Sequence, residues 1–84
     1  MFTIEYSNQA LKFFKRIDKS LSERILKHIE ELSRNPFPQG VRSIEGYKEK
    51  TYRIRVGNYR ILYEVDQEKG LVGIVKIDHR GQVY

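Results

Sequence analysis

The sequence predicts an α+β fold of order β-α-α-β-β-β(-β), in which a helical hairpin packs on one face of a small, mainly antiparallel sheet. Three observations carry that reading. Apolar residues recur at helical spacing between Ala10 and Leu32, the segment Asn35-Pro36-Phe37-Pro38 ends that pattern, and the remainder is rich in β-branched and aromatic residues punctuated by turn signals. A chain of 84 residues closes about one hydrophobic core, so residues 1–84 are expected to form a single domain.

Phe2, Ile4 and Tyr6 alternate with Thr3 and Glu5, the pattern of a short strand with one buried face. Ser7 offers an N-cap to a first helix whose apolar stripe is Ala10, Phe13, Phe14 and Ile17. Asp18 and Lys19 interrupt it. Ser20, with Glu23 three residues on, has the form of a capping box for a second helix carrying Leu21, Ile25, Ile29 and Leu32. Pro36 disfavours helical geometry at Asn35 and stops it. So short a break between helices makes an antiparallel hairpin. Val41 to Ile44 reads as a short strand and Gly46 to Lys50 as a loop. Strands then follow at Thr51–Val56, Tyr59–Val65 and Leu71–Asp78.

Gly57-Asn58 suits a two-residue hairpin turn with Gly57 at positive φ. That turn sets Val56 opposite Tyr59, Arg55 opposite Arg60, Ile54 opposite Ile61, Arg53 opposite Leu62 and Tyr52 opposite Tyr63. Alternation then puts Tyr52, Ile54, Val56, Tyr59, Ile61, Tyr63 and Val65 on one face, and Arg53, Arg55, Arg60 and Leu62 on the other. A five-residue loop from Asp66 to Gly70 is expected next, because a four-residue loop turns Lys76 and Asp78 inward. In that register Gly73, Val75 and Ile77 join the core face. Val72, Ile74 and Lys76 join the arginine face, with Lys76 opposite Arg60 and Glu64 as the only acid, at the far end.

Sixteen Lys and Arg against eleven Asp and Glu leave a formal charge of +5, which suits polyanionic partners. Directly opposed like charges cost up to about 1 kcal/mol per pair, so stability alone gives no reason to set Arg55 against Arg60. Guanidinium groups hold phosphate oxygens bidentately and stay charged at physiological pH. Arg80 and Tyr84 follow the last strand, and tyrosine beside arginine lets bases stack while their backbone is neutralised. Cysteine is absent, which excludes thiol catalysis and disulfides. No Walker or dinucleotide spacing surrounds the glycines, and two isolated histidines with scattered acids give no metal site. His28 reads as helix surface. Neither a signal peptide nor a spanning segment is evident, so a cytosolic location without membrane contact is expected.

The opening Tyr6-Ser7 with its Ala10 and Phe14 helix, the stretch Tyr52 to Tyr63, and the ending Asp78-His79-Arg80-Gly81-Gln82-Val83-Tyr84 resemble the RelE branch of the RelE/ParE toxin superfamily. The resemblance implies a toxin of a type II toxin–antitoxin system. It also implies a metal-independent, cofactor-free endoribonuclease that enters the ribosomal A site and cleaves messenger RNA. The ribose 2′-hydroxyl is driven onto the neighbouring phosphate, and the implied partners are the ribosome, its message and a RelB-like antitoxin. By position, Arg55, Arg60, Arg80 and Tyr84 match the family's catalytic residues, with Arg53 and Lys76 expected to bind phosphate. Some relatives carry lysines where Arg53 and Arg55 stand, and lysine can be tuned into a base whereas arginine scarcely can. Here the arginines are expected to stabilise developing charge. The base stays unassigned between Tyr84 and His79, and His79 reads as structural. Two alternatives remain: a ParE-like toxin that poisons gyrase, and an RNA-binding member without catalysis.

Overall fold

The computed structural model describes residues 1–47 and 50–79. Strand β1 (Thr3–Tyr6) leads to helices α1 (Asn8–Arg16) and α2 (Lys19–Arg34). Strands β2 (Arg42–Ile44), β3 (Thr51–Val56), β4 (Tyr59–Asp66) and β5 (Leu71–His79) follow. They form one sheet in the order β1-β5-β4-β3-β2, with β1 parallel to β5 and every other pairing antiparallel. This is the expected α+β architecture. Of the expected loop 46–50, residues 48 and 49 lie outside the described residues. Among the described residues, no helix is long and apolar enough to cross a membrane.

Ser7 caps α1 as expected: its hydroxyl accepts from the Ala10 amide at 3.1 Å and donates to the Val75 carbonyl at 2.6 Å. The start of α2 is a correction. Asp18, not Ser20, is the N-cap, its Oδ1 accepting from the Leu21 amide at 2.8 Å. Both are strong capping residues. The carboxylate adds a favourable charge at the positive end of the helix, and Ile17, packed against the core in extended conformation, lets the helix begin at once.

The β3–β4 hairpin has the expected register throughout. Gly57 sits at φ 60° while Asn58 keeps a negative φ, the combination of a type II′ turn. A Cβ at Gly57 would lie 2.8 Å from a guanidinium nitrogen of Arg24, which reaches the turn from α2.

The β4–β5 ladder departs from expectation. Near the turn Asp66 pairs with Leu71, Val65 with Val72 and Tyr63 with Ile74, so the loop has four residues. A bulge then skips Val75, and the ladder resumes with Leu62 opposite Lys76, Ile61 opposite Ile77 and Arg60 opposite Asp78. Val72 and Ile74 therefore belong to the core, at 0% and 1% exposure, and not to the arginine face. Gly73 and Val75 leave the core face to them. The bulge turns Ile77 back inward and keeps Lys76 and Asp78 outward, although Lys76 faces Leu62 instead of Arg60.

Beneath the helices, Ala10, Ile25, Ile29 and Leu32 pack on Ile54, Val56, Ile61, Tyr63, Val72, Ile74 and Ile77. Tyr63 fixes the exit from α2, because its hydroxyl donates to the Pro36 carbonyl at 2.6 Å in the interior. Burial, with Tyr52 close by, pushes the Tyr63 phenol well above its ordinary value near 10. The folded state therefore keeps this proton at a pH where the unfolded chain releases it. Its contribution is full below about pH 10 and is lost as pH rises further, by up to about 1.4 kcal/mol per unit.

Urea melts across that range should show the loss in the parent, and Tyr63→Phe should abolish most of it while costing about 1 kcal/mol at neutral pH. An equal alkaline slope in both proteins would show that Tyr63 is not its source. Gly57→Ala should cost about 1 to 2 kcal/mol, since the turn demands positive φ. Adding Arg24→Ala should not recover it, because the guanidinium can swing aside and the backbone cannot.

Candidate nucleic-acid interface

Strand alternation builds the site. On β3, Arg53 and Arg55 alternate with the inward Tyr52, Ile54 and Val56, and the II′ turn brings Arg60 of β4 opposite Arg55. Directly paired residues share a face, so the pairings give two cross-strand rows. One runs Arg42, Arg53, Leu62, Lys76 across β2 to β5; the other runs Arg55, Arg60, Asp78. Neighbouring strands lie roughly 4.8 Å apart, which sets the first row's span at about 14 Å.

The cations differ in how they are held. Arg60 Nε donates to Asp78 Oδ1 at 3.2 Å and a terminal nitrogen donates to Oδ2 at 3.5 Å, with both side chains almost buried. Lys76 Nζ stands 3.8 Å from the same carboxylate and is about half exposed. Asp78 thus binds two cations and offsets the repulsion that Arg55 exerts on Arg60. It also corrects the expectation that Glu64 is the only acid on this face. Arg55 is exposed, and Arg53 is half-buried. Leu62 is 3% exposed although it stands on this face; its neighbours Arg53 and Lys76 have long stems suited to covering it.

The opposite end of the face is acidic. Glu5 and Glu64 flank Gly73 across β1, β5 and β4, so the face carries positive charge toward the Gly57 turn and negative charge toward β1. A phosphate chain is drawn to the first end and repelled from the second.

The structure thus brings together Arg53, Arg55, Arg60 and Lys76, as the sequence predicts. Arg80 and Tyr84 lie outside the described residues. His79 is opposite Tyr59 and meets its ring edge-to-face at 5.1 Å, while Tyr59 meets Phe13 at 5.8 Å, so it faces inward as expected. The sequence reading missed Arg42 and Asp78. Asp78 could have been found by requiring Val72, Ile74 and Ile77 all to be buried; Arg42 gave no such signal.

A family model described as the ParE toxin of type II toxin–antitoxin systems matches residues 4–84. The RelE1 protein of Methanocaldococcus jannaschii is 31% identical over 85 residues, which cover 99% of this chain and 94% of the relative. Toxin RelG of Mycobacterium tuberculosis is 28% identical over 87 residues, covering 99% and 95%. Among solved structures, the archaeal RelE–RelB complex from Pyrococcus horikoshii contains a chain of 27% identity that superposes with a TM-score of 0.83 over 98% of both chains.

Asp78→Asn should lower stability by about 1 to 3 kcal/mol, because it strips the charge that Arg60 needs in a largely buried position. Glu64→Gln should change it by less than about 0.5 kcal/mol. Denaturant melts of both variants check this; equal effects would mean that Asp78 is no more than surface charge.

Proposed function

Because this chain belongs to the RelE/ParE family of toxins from type II toxin–antitoxin systems, we propose that it is an endoribonuclease acting on messenger RNA in the ribosomal A site. The observation that carries this reading is the opposition of Arg55 and Arg60, with Arg60 held by Asp78. A stability device would have paired each arginine with an acid. Here Asp78 takes Arg60 and Lys76, and Arg55 stays exposed beside them.

The proposed reaction is in-line transfer. A base takes the proton of the 2′-hydroxyl, the 2′ oxygen bonds to phosphorus, and the bond from phosphorus to the 5′ oxygen breaks. A proton then goes to the departing oxygen, leaving a cyclic phosphate and a 5′-hydroxyl. Negative charge grows on the non-bridging oxygens, where Arg55 and Arg60 stabilise it. Arg53 and Lys76 hold flanking phosphates. Arg80 and Tyr84 complete the proposed set, with Tyr84 the candidate for proton transfer. Arginine is a poor base, so the ribosome's positioning of the 2′-hydroxyl supplies much of the rate, an effect worth up to about 7 to 11 kcal/mol. An acidic, RelB-like antitoxin is the proposed inhibitor, masking the arginine face. The Pyrococcus relative is found in complex with RelB, which supports that partner.

A second reading, poisoning of DNA gyrase, is favoured by one observation, the ParE description of the matching family model. It gives no role to the arginine rows.

Mapping message ends after induction separates the two. We expect cuts within ribosome-bound codons, little cleavage of naked RNA, and unchanged gyrase supercoiling. Arg55→Ala should lower cleavage about a hundredfold with an unchanged melt. Intact messages together with blocked supercoiling would replace this reading with the gyrase one.

A further inference from the structure

The row of cations does not stop at the sheet. Strand β2 begins at Arg42, opposite Arg53, and among the described residues no strand pairs with the outer edge of β3 beyond that point. The outer edge of β3 from Ile54 onward instead faces α2 across a cleft of about 780 Å³. Arg42, Arg53 and Arg55 line one side of it, and His28 and Glu31 of α2 line the other. Leu32, Ile54 and Pro38 supply apolar wall. Three arginines against one carboxylate make the cleft cationic, and its size is within the range of small-ligand sites, roughly 300 to 1,000 Å³.

His28 has a defined orientation. Its Nδ1 lies 3.0 Å from the Arg24 carbonyl oxygen. A carbonyl can only accept, so Nδ1 carries the hydrogen and Nε2 of the neutral ring is an acceptor. An imidazole so fixed can stack on a base or accept from a base amino group, while guanidinium groups take the adjoining phosphate.

We propose that this cleft is a subsite for one nucleotide of single-stranded RNA beside the scissile phosphate, with Arg42 on its phosphate and His28 on its base. The proposal rests on the reading that the arginine face engages RNA, and it extends that face over the sheet edge. The acidic end at Glu5 and Glu64 closes the other route along the strands. The RNA therefore crosses the strands, from β5 toward β2, and enters the cleft where β2 begins.

The test is fluorescence anisotropy with a 2′-O-methylated RNA hexamer, which cannot be cut, titrated at salt concentrations between about 50 and 200 mM. Arg42→Ala should weaken binding about five- to tenfold and flatten the salt dependence by about 0.7, the value for one phosphate contact on a single strand. His28→Ala should weaken binding severalfold without changing that slope. Shortening the hexamer from the end that fills the cleft should cost the parent what Arg42→Ala costs, and should cost that variant little more. Arg42→Lys should restore the slope. Arg42 is exposed, so its melt should match the parent's. If both alanine variants bind like the parent, with the same slope, the cleft is not an RNA subsite and is left to a protein partner. Cleavage of ribosome-bound message, measured alongside, keeps the two readings apart. A parent that binds but never cuts, with Arg42→Ala and His28→Ala weakened as expected, refutes the nuclease and upholds the subsite. Variants that bind and cut like the parent refute the subsite alone.

Discussion

Ile74 and Ile77 are an odd number of residues apart, so strict alternation cannot bury both from one straight strand. The chain resolves the conflict by letting Val75 stand outside the ladder. Without the bulge, one of two losses follows. Either Lys76 and Asp78 turn into the core and Ile77 turns out beside Arg60, or Val72 and Ile74 face the arginines. The extra residue also frees the Val75 carbonyl for Ser7, so the device that starts α1 closes the irregularity in β5. Gln9 continues the repair, its side-chain amide accepting from the Ile77 N–H and donating to the Ile77 carbonyl, both at 2.9 Å.

Core and site are therefore two sides of the same constraint. Burying Ile77 between Lys76 and Asp78 obliges those two to face outward, where the lysine joins a row of cations and the carboxylate locks Arg60. A carboxylate so placed lowers the net charge of the face, yet it orders one guanidinium. In the proposed reaction, where Arg60 meets a developing negative charge, fixed direction counts for more than one unit of bulk attraction, because a donor already aligned costs no reorganisation. Arg55, left exposed, has the opposite character and is suited to capture.

The parts of the fold legible in the sequence are those governed by short connections. Gly57-Asn58 leaves two residues between strands, so a single register satisfies the hairpin and every cross-strand pair follows. The segment from Asp66 to Gly70 is long enough to admit two registers, and only the combined burial of Val72, Ile74 and Ile77 exposes the compromise. Asp18 and Ser20 are both good caps two residues apart; packing of Ile17 decided between them, which is tertiary information. Arg42 and His28 were illegible for a related reason. Their relation to Arg53 and Arg55 depends on where β2 meets β3 and how α2 lies over that edge, and neither is set by local spacing.

The stitching of Ser7 to Val75 joins residues 68 apart in sequence, and this has a consequence for synthesis. The sheet's middle strand pairs form from neighbours, but β1 has no partner until β5 exists, and β5 is made after every other described element. Lys76 and Asp78 arrive with that last strand. A partly translated chain can thus collect its helices and the β3–β4 hairpin while the arginine face is still incomplete. The order of emergence delays the finished surface until β5 has been made, a built-in interval between making such a protein and arming it.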